Sequence, residues 1–585
     1  MTAFSQPALD AAHAPPVRTG RSYRRWLWLV ALIGVMGCSA YGLKGTGVWS
    51  TVRNFFLGDP RAKQVMRVAL TRPADAAVYI DRGTSVTVRF RLWDSKLDPS
   101  TVNHKNVVLV RAYDQQVVPA NVFQTSDTEI VLKPERLLDA ATTYNFIVKP
   151  QVKDTVGRSA ATFLMSFTTN GRPDPAIQFE KVALPTARGH MFTCVKFGPD
   201  QRLWASNDQG LIFRFDIRPD GTLSEPVTFE SLQQANGGPR LTTGFCFDPA
   251  STPERPILWI TNGHYAYENA PDLSCKVTRI SGANLETVED VVIGLPRSVG
   301  DHTSNQPSFG PDGALYWPQP SNTAFGAPDA YWGMRPEHLL NATILRLDTT
   351  KVTPGKPIDA RTRDVGGTYD PFAPDAPLTI YAAGVRLAYD LCFANDGHLY
   401  APVNGATVGG NAPPVGGFPG IENFTTAEDD WLFRIAPGKY HGHPNPAAGY
   451  YVLNGGNPTE EFDFAEVPQY PVGTKPEPDW TPACYVMGQH ISANGVIQYR
   501  GNAFGGRLKD KLLICRYSRF DDIIAIGFDA AGKPNYITAD IPGLNEFRDP
   551  LDIEEDPRNG NLYIAEFAGQ RITLCRPVET SASGR

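Results

Sequence analysis

Ser308-Phe-Gly-Pro-Asp-Gly-Ala-Leu-Tyr316 reads as the end of one apolar strand, a Pro-Asp-Gly turn and the start of a second strand. The unit recurs along the chain. Its copies are Val195-Lys-Phe-Gly-Pro-Asp-Gln-Arg-Leu-Trp204, Phe245-Cys-Phe-Asp-Pro249 running to Leu258-Trp259, Leu391-Cys-Phe-Ala-Asn-Asp-Gly-His-Leu-Tyr400, Val496-Ile-Gln-Tyr499 running to Leu512-Leu513, and Leu551-Asp-Ile-Glu-Glu-Asp556 running to Leu562-Tyr563. One such hairpin leaves apolar faces that only neighbours can cover. Six copies predict an all-β, six-bladed β-propeller over residues 176–577, in which radial stacking covers those faces. The longer gaps between the third and fifth copies predict loop insertions, which often form a binding face.

Upstream, residues 66–170 predict a second all-β module. Ser85-Val-Thr-Val-Arg-Phe90 alternates with period two, and Asn106–Val110, Glu129–Leu132 and Tyr144–Val148 are further strand-like runs. About seven short strands in this length predict a sandwich. The phrases Leu97-Asp-Pro-Ser-Thr-Val-Asn103, Val152-Lys-Asp-Thr-Val-Gly157 and Phe167-Thr-Thr169 resemble bacterial Ig-like domains of surface proteins. That resemblance implies spacing or display, and His104 is read as an exposed loop residue. Residues 170–175, with Pro and Gly, form a linker, and 578–585 a disordered tail.

The N-terminus is different in kind. Arg18, Arg21, Arg24 and Arg25 make residues 1–25 a basic tail before an apolar run, Trp26–Leu43, that Lys44 ends. A run of that length just crosses a bilayer, and its flanking charge keeps the tail cytoplasmic. The expectation is a transmembrane or signal anchor at 26–43, a stalk at 44–65 and a body outside the bacterial inner membrane, facing the periplasm or cell exterior. Val35-Met-Gly-Cys38 allows lipoprotein processing at Cys38, and Arg24-Arg25 a twin-arginine export signal; both lead to the same compartment. The formal charge of −6 and the lack of a basic stripe in the body argue against nucleic acid as a partner. The eight cysteines show no CxxC spacing, and Cys246, Cys392, Cys515 and Cys575 read as small buried hydrophobes.

Counting back seven residues from the apolar residue before each turn gives His190, Arg240, His302, Arg386 and His490 in the first five copies. The sixth gives Glu546, with Arg548 two residues on. Equivalent positions lie around a propeller axis, so these groups predict a ring at one channel mouth, suited to a polar, even anionic, ligand. Asp301 beside His302 predicts a carboxylate that orients an imidazole base. The HxH of Tyr440-His-Gly-His-Pro444 lacks a third ligand and reads as surface histidines on a loop; no metal-ligand set is identified.

Around that pair the sequence resembles a known family. Gly294-Leu-Pro-Arg-Ser-Val-Gly-Asp-His-Thr-Ser304, with Phe309–Tyr316, is similar to the catalytic segment of glucose/sorbosone dehydrogenases of the soluble quinoprotein type. Leu241–Pro249, Ile344–Asp348, Asp429–Ile435 with Gly442-His-Pro444, and Asn545–Asp549 resemble further segments, so the likeness spans most of residues 180–577. It implies a sugar or polyol dehydrogenase using pyrroloquinoline quinone and Ca2+. His302 would take the hydroxyl proton, Asp301 would orient it, and Arg548 would contact a cofactor carboxylate or quinone oxygen. Arg386, Arg240, His190 and His490 complete the expected cofactor-binding set. Three departures weaken the cation complement. Pro318–Ala324 lacks the family's Arg-Asn pair, Ser518 stands near the family's Lys with Arg516 and Arg519 as neighbours, and Glu546 replaces an arginine. Two alternatives stand beside the dehydrogenase: a displayed propeller binding glycan or protein, and a metal-dependent lactonase.

Overall fold

The computed structural model describes residues 65–92, 94–425, 427–459 and 465–578. The expected basic tail, anchor, stalk up to Gln64 and C-terminal tail beyond Val578 lie outside the described residues. Among the described residues, no helix is long and apolar enough to cross a membrane.

Residues 66–169 form two four-stranded sheets. One joins Val68–Arg72, Val86–Phe90, Glu129–Pro134 and Ala120–Ser126; the other joins Ala77–Ile80, Phe163–Thr169, Thr143–Val148 and Val107–Arg111. Val86, Val88 and Phe90 turn inward while Thr87 and Arg89 turn outward, the alternation that a half-buried strand requires. They pack on Leu109, Ile130, Leu132, Phe146 and Phe167 in the core of the sandwich. His104 is exposed, as expected.

Six sheets follow in chain order. The first holds Phe192–Phe197, Leu203–Asn207, Ile212–Phe215 and Val227–Phe229, all antiparallel. The second, from Arg240–Phe247 to Thr287–Leu295, gains a short parallel strand, Ile358–Asp359. The third runs from Ser308–Phe309 to Leu378–Ala383, the fourth from Cys392–Phe393 to Tyr485–Gln489 and the fifth from Ala493–Gln498 to Pro534–Thr538. The sixth takes Pro550–Glu555, Leu562–Glu566 and Arg571–Pro577, and borrows Phe179–Arg188 from ahead of the first sheet.

Each pair of successive sheets shares its own apolar layer. Trp204, Phe245 and Ile260 join the first to the second; Trp259, Trp317 and Leu345 join the second to the third. Tyr316, Leu399 and Phe433 continue to the fourth, Tyr400 and Ile514 to the fifth, and Leu513 and Ile553 to the sixth. Ala205, Phe213, Tyr563 and Leu574 return from the sixth to the first, which closes a ring with a propeller-like layout. The turns match the sequence pattern: Phe309 pairs with Leu315, and Phe393 with Leu399.

The seven cysteines among the described residues are free. Cys392, Cys515 and Cys575 are buried and Cys246 is half-buried, in keeping with their reading as small apolar side chains. The sandwich and the ring belong to one compact unit, Met66–Thr155 with Ser159 onward, from which Val65 and Val156–Arg158 are excluded. The Tyr485 hydroxyl donates to Ala141 O at 2.6 Å and the Tyr79 hydroxyl to Phe520 O at 3.0 Å, so the sandwich leans on the fourth and fifth sheets.

Candidate functional site

His302 sits on the segment 296–307, between the last strand of the second sheet and the first of the third. Buried Arg297 shapes that segment. Its guanidinium donates to Ser298 O, Gly300 O, His302 O and Ala266 O, drawing the chain into a tight turn. The His302 amide donates to Ser298 Oγ at 3.1 Å. The imidazole is 4% exposed, lies 4.3 Å from the Trp332 ring and meets Ser321 O through Nδ1 at 2.8 Å. A carbonyl oxygen can only accept, so Nδ1 carries the proton and Nε2 the lone pair. Burial, helped by the Arg386 charge, pushes the pKa down to about 4, which keeps the ring neutral.

His302 opens on a cavity of about 750 Å³ lined also by Asp301, Arg386, Asp430, His490, Trp332, Tyr267, Glu268, Asn404, Ser492 and Ser518. Arg386 is buried against the cavity, and three of its five N–H donors are committed: Nε to Ala324 O at 3.2 Å and Nη1 to Asn404 O and Gly405 O at 3.1 and 3.0 Å. Asp430 accepts from Gly405 N at 2.8 Å and Ser492 N at 2.6 Å, while burial pushes its pKa up to about 6. His490, with φ of 53°, is also held below the ordinary histidine value by burial, with Arg519 and Arg386 adding to the effect. The lining thus combines three acidic side chains, Glu268, Asp301 and Asp430, with one guanidinium and two imidazoles that burial holds neutral near pH 7.

Of the expected ring, the cavity gathers His302, Arg386 and His490, together with Asp301, while Glu546 is exposed and lies outside the lining. His190 packs beside Phe192 and Phe213 instead. Arg240 is drawn sideways to Asn262 Oδ1 and Ser274 O, both at 2.8 Å. Arg548 is exposed and does not line the cavity. Asp301 also departs from its expected part: it is exposed, and the hydrogen bond that orients His302 comes from the Ser321 carbonyl. The two stand-in cations near Ser518 are engaged elsewhere. Arg516 is buried against Asp522 at 2.5 and 2.6 Å, and Arg519 donates to Ala76 O of the sandwich.

His441 and His443 are not surface residues. They are 2% and 4% exposed; His443 Nε2 meets Glu337 Oε1 at 3.1 Å, and His441 lies against Phe433. Burial pushes His441 down to about 4. Their loop is covered by other insertions, which a polar sequence motif cannot reveal.

The bacterial Ig-like domain family matches residues 62–169. No curated protein matches the chain. Among solved structures, the pyrroloquinoline-quinone-bound aldose sugar dehydrogenase of Streptomyces coelicolor is 17% identical, with 70% of this chain and 100% of that one covered and a TM-score of 0.41. The quinone domain of pyranose dehydrogenase from Coprinopsis cinerea is 11% identical over 69% and 98%, with a TM-score of 0.42. A protein of unknown function from Bacteroides thetaiotaomicron is 11% identical over 89% and 99%, with a TM-score of 0.31. Likeness at this level bears on neither ligand nor chemistry.

Ser321, Trp332, Glu337 and Asp430 carry much of the site's geometry. The first three lie in the insertion between Leu315–Gln319 and Thr343–Leu347, outside the repeating unit, so no register pointed to them. The one available signal was the insertion's length.

Proposed function

We propose that the ring is a six-bladed propeller whose mouth cavity takes a sugar or polyol, with His302 Nε2 receiving a ligand hydroxyl. The observation that carries this reading is the fixed neutral tautomer of His302 beside the Trp332 face. A lone-pair nitrogen accepts from a hydroxyl, and the exposed Tyr331 ring, which packs edge-on to Trp332, offers an aromatic face to a sugar ring. Exposed aromatic rings at the rim, Tyr331 at 80% and Tyr267 at 46%, favour a ligand longer than one sugar unit. The N-terminal Arg-flanked run 26–43 supports an anchored body facing the periplasm or exterior.

The dehydrogenase reading has one specific support, since a neutral imidazole with a free Nε2 is the form a general base requires. The residues present do not fit the quinone. Pyrroloquinoline quinone bears three carboxylates, whereas the cavity offers one guanidinium already bound to three carbonyls, alongside Asp301, Asp430 and Glu268. Acidic side chains lining the same cavity disfavour those carboxylates. Among the described residues, no three His, Cys, Asp or Glu converge to hold a metal. The acidic lining also turns the expected preference away from anionic ligands.

Titration calorimetry of the full-length protein with D-glucose, D-sorbitol and maltose tests the binding reading, and the absence of heat with all three would reject it. Dye reduction after addition of pyrroloquinoline quinone and Ca2+ would establish the dehydrogenase in spite of the lining. Protease added to intact spheroplasts should digest the body; protection would reject the orientation.

A further inference from the structure

The hydrogen bond that sets His302's tautomer comes from a backbone carbonyl, so whatever fixes that peptide plane fixes the imidazole. In a trans peptide, the C=O of residue 321 and the N–H of residue 322 point in opposite directions. Ser321 O faces His302 Nδ1 at 2.8 Å, and Asn322 N donates to Glu337 Oε2 at 2.9 Å. Glu337 and His302 thus hold one peptide plane from its two sides. The next amide is held as well: Thr323 N reaches Glu337 Oε1 at 2.9 Å, and Thr323 Oγ1 reaches the same oxygen at 2.6 Å.

The Glu337 side chain is wholly buried. A carboxylate in that position is costly unless every lone pair is used, and an apolar residue would fill the space without the penalty. What the carboxylate adds is direction. Its remaining donor comes from another insertion, between Asp429–Ile435 and Tyr485–Gln489 of the fourth sheet, through His443 Nε2 at 3.1 Å. The two insertions fit closely beside this contact. Gly326, at φ of 94°, leaves only the room of a hydrogen against Pro444, because a Cβ there would lie 2.6 Å from the Pro444 carbonyl oxygen.

We propose that Glu337 is a positioning residue for His302, acting through the 321–322 peptide plane, with His443 locking it from the fourth sheet's insertion. The inference rests on His302 being the cavity's acceptor nitrogen. Its test needs no ligand. In full-length protein carrying 15N-labelled histidine, the His302 ring signals, identified by their loss in H302Q, should show the Nδ1–H tautomer alone.

Glu337→Gln turns an NH2 toward one of the amides and should break one plane's hold. Glu337→Ala should break both. In each, His302 should move toward a mixture of tautomers, and any sugar bound by the wild type should bind about tenfold more weakly. Thr323→Val keeps both amide bonds to Glu337 while losing the hydroxyl's contacts with Glu337 and Gly326 N, and should stay near the wild-type spectrum. Wild-type tautomer signals in folded Glu337→Gln would overturn the proposal. If Glu337→Ala does not fold, His443→Gln joins Glu337→Gln as the second variant, and an unchanged tautomer in both would likewise overturn it. A tautomer change in a protein that binds no sugar would uphold the clamp and reject the ligand reading.

Discussion

The mouth of the ring has two unlike arcs. Along the third, fourth and fifth sheets, His302, Arg386 and His490 reach one cavity. Along the first, second and sixth, the residues at the same repeat offset turn away: His190 into Phe192 and Phe213, Arg240 to Asn262 and Ser274 O, and Glu546 to solvent. Equal register places the chain but does not aim the side chain. The difference lies in what stands over each arc. Long insertions supply Trp332, Asn404 and Gly405, which wall the cavity, and Ala324, whose carbonyl joins those of Asn404 and Gly405 in holding Arg386.

The sharpest way to break the comparison is a matched pair of histidine variants. His302→Ala should keep the fold and remove the ligand response, by roughly 100- to 10,000-fold in rate if turnover is found. His190→Ala should leave both ligand binding and rate close to wild type. Equal losses in the two would restore a six-membered ring. The arginines come next. Arg386→Ala strands the carbonyls of Ala324, Asn404 and Gly405, and thermal melts should report a loss of about 2–4 kcal/mol together with weaker ligand binding. Arg240→Ala, which unpairs the buried Asn262 Oδ1 and the half-buried Ser274 carbonyl, should cost about 1–2 kcal/mol and spare the ligand.

A pH series sharpens the contrast further. His302 is held near a pKa of about 4, below the free histidine value, so its acceptor nitrogen stays available as pH falls through about 6.5 and is lost only near about 4. Calorimetric affinity should show that acid limb in the wild type. Arg386→Met removes a charge that disfavours protonation and should shift the limb upward. The smallest effect is expected for Arg548→Ala, exposed and outside the cavity, whose ligand affinity should match wild type within error.

The fold was legible because its signals are local. Phe309 before Pro-Asp-Gly and Leu315 after it need only a turn to become partners, and they do. Val86, Val88 and Phe90 announce their face by alternation alone. The site was legible only where a repeat passes through it. His302 and Arg386 were found by offset, whereas Ser321 and Glu337 act through backbone groups that leave no pattern. Asp301 was a reasonable partner for His302 on adjacency, yet consecutive residues diverge once Arg297 folds the turn, and the carbonyl of a distant loop takes the place. His441 and His443 misled for a related reason: a polar motif says nothing about the insertions that cover it.

The strand Phe179–Arg188 waits for Arg571–Pro577 before it has a partner on that edge. Nearly the whole ring must therefore leave the ribosome before its first segment is zipped shut. Contacts so remote along a chain form slowly. Until then both margins of the unfinished ring are open templates for another strand. The emerging body thus has a vulnerable interval in which it needs shielding from its own copies, and that interval ends only with the last strand. A chain cut short at Gln570 would never leave it, and is expected to accumulate as aggregate rather than as a slightly weakened ring.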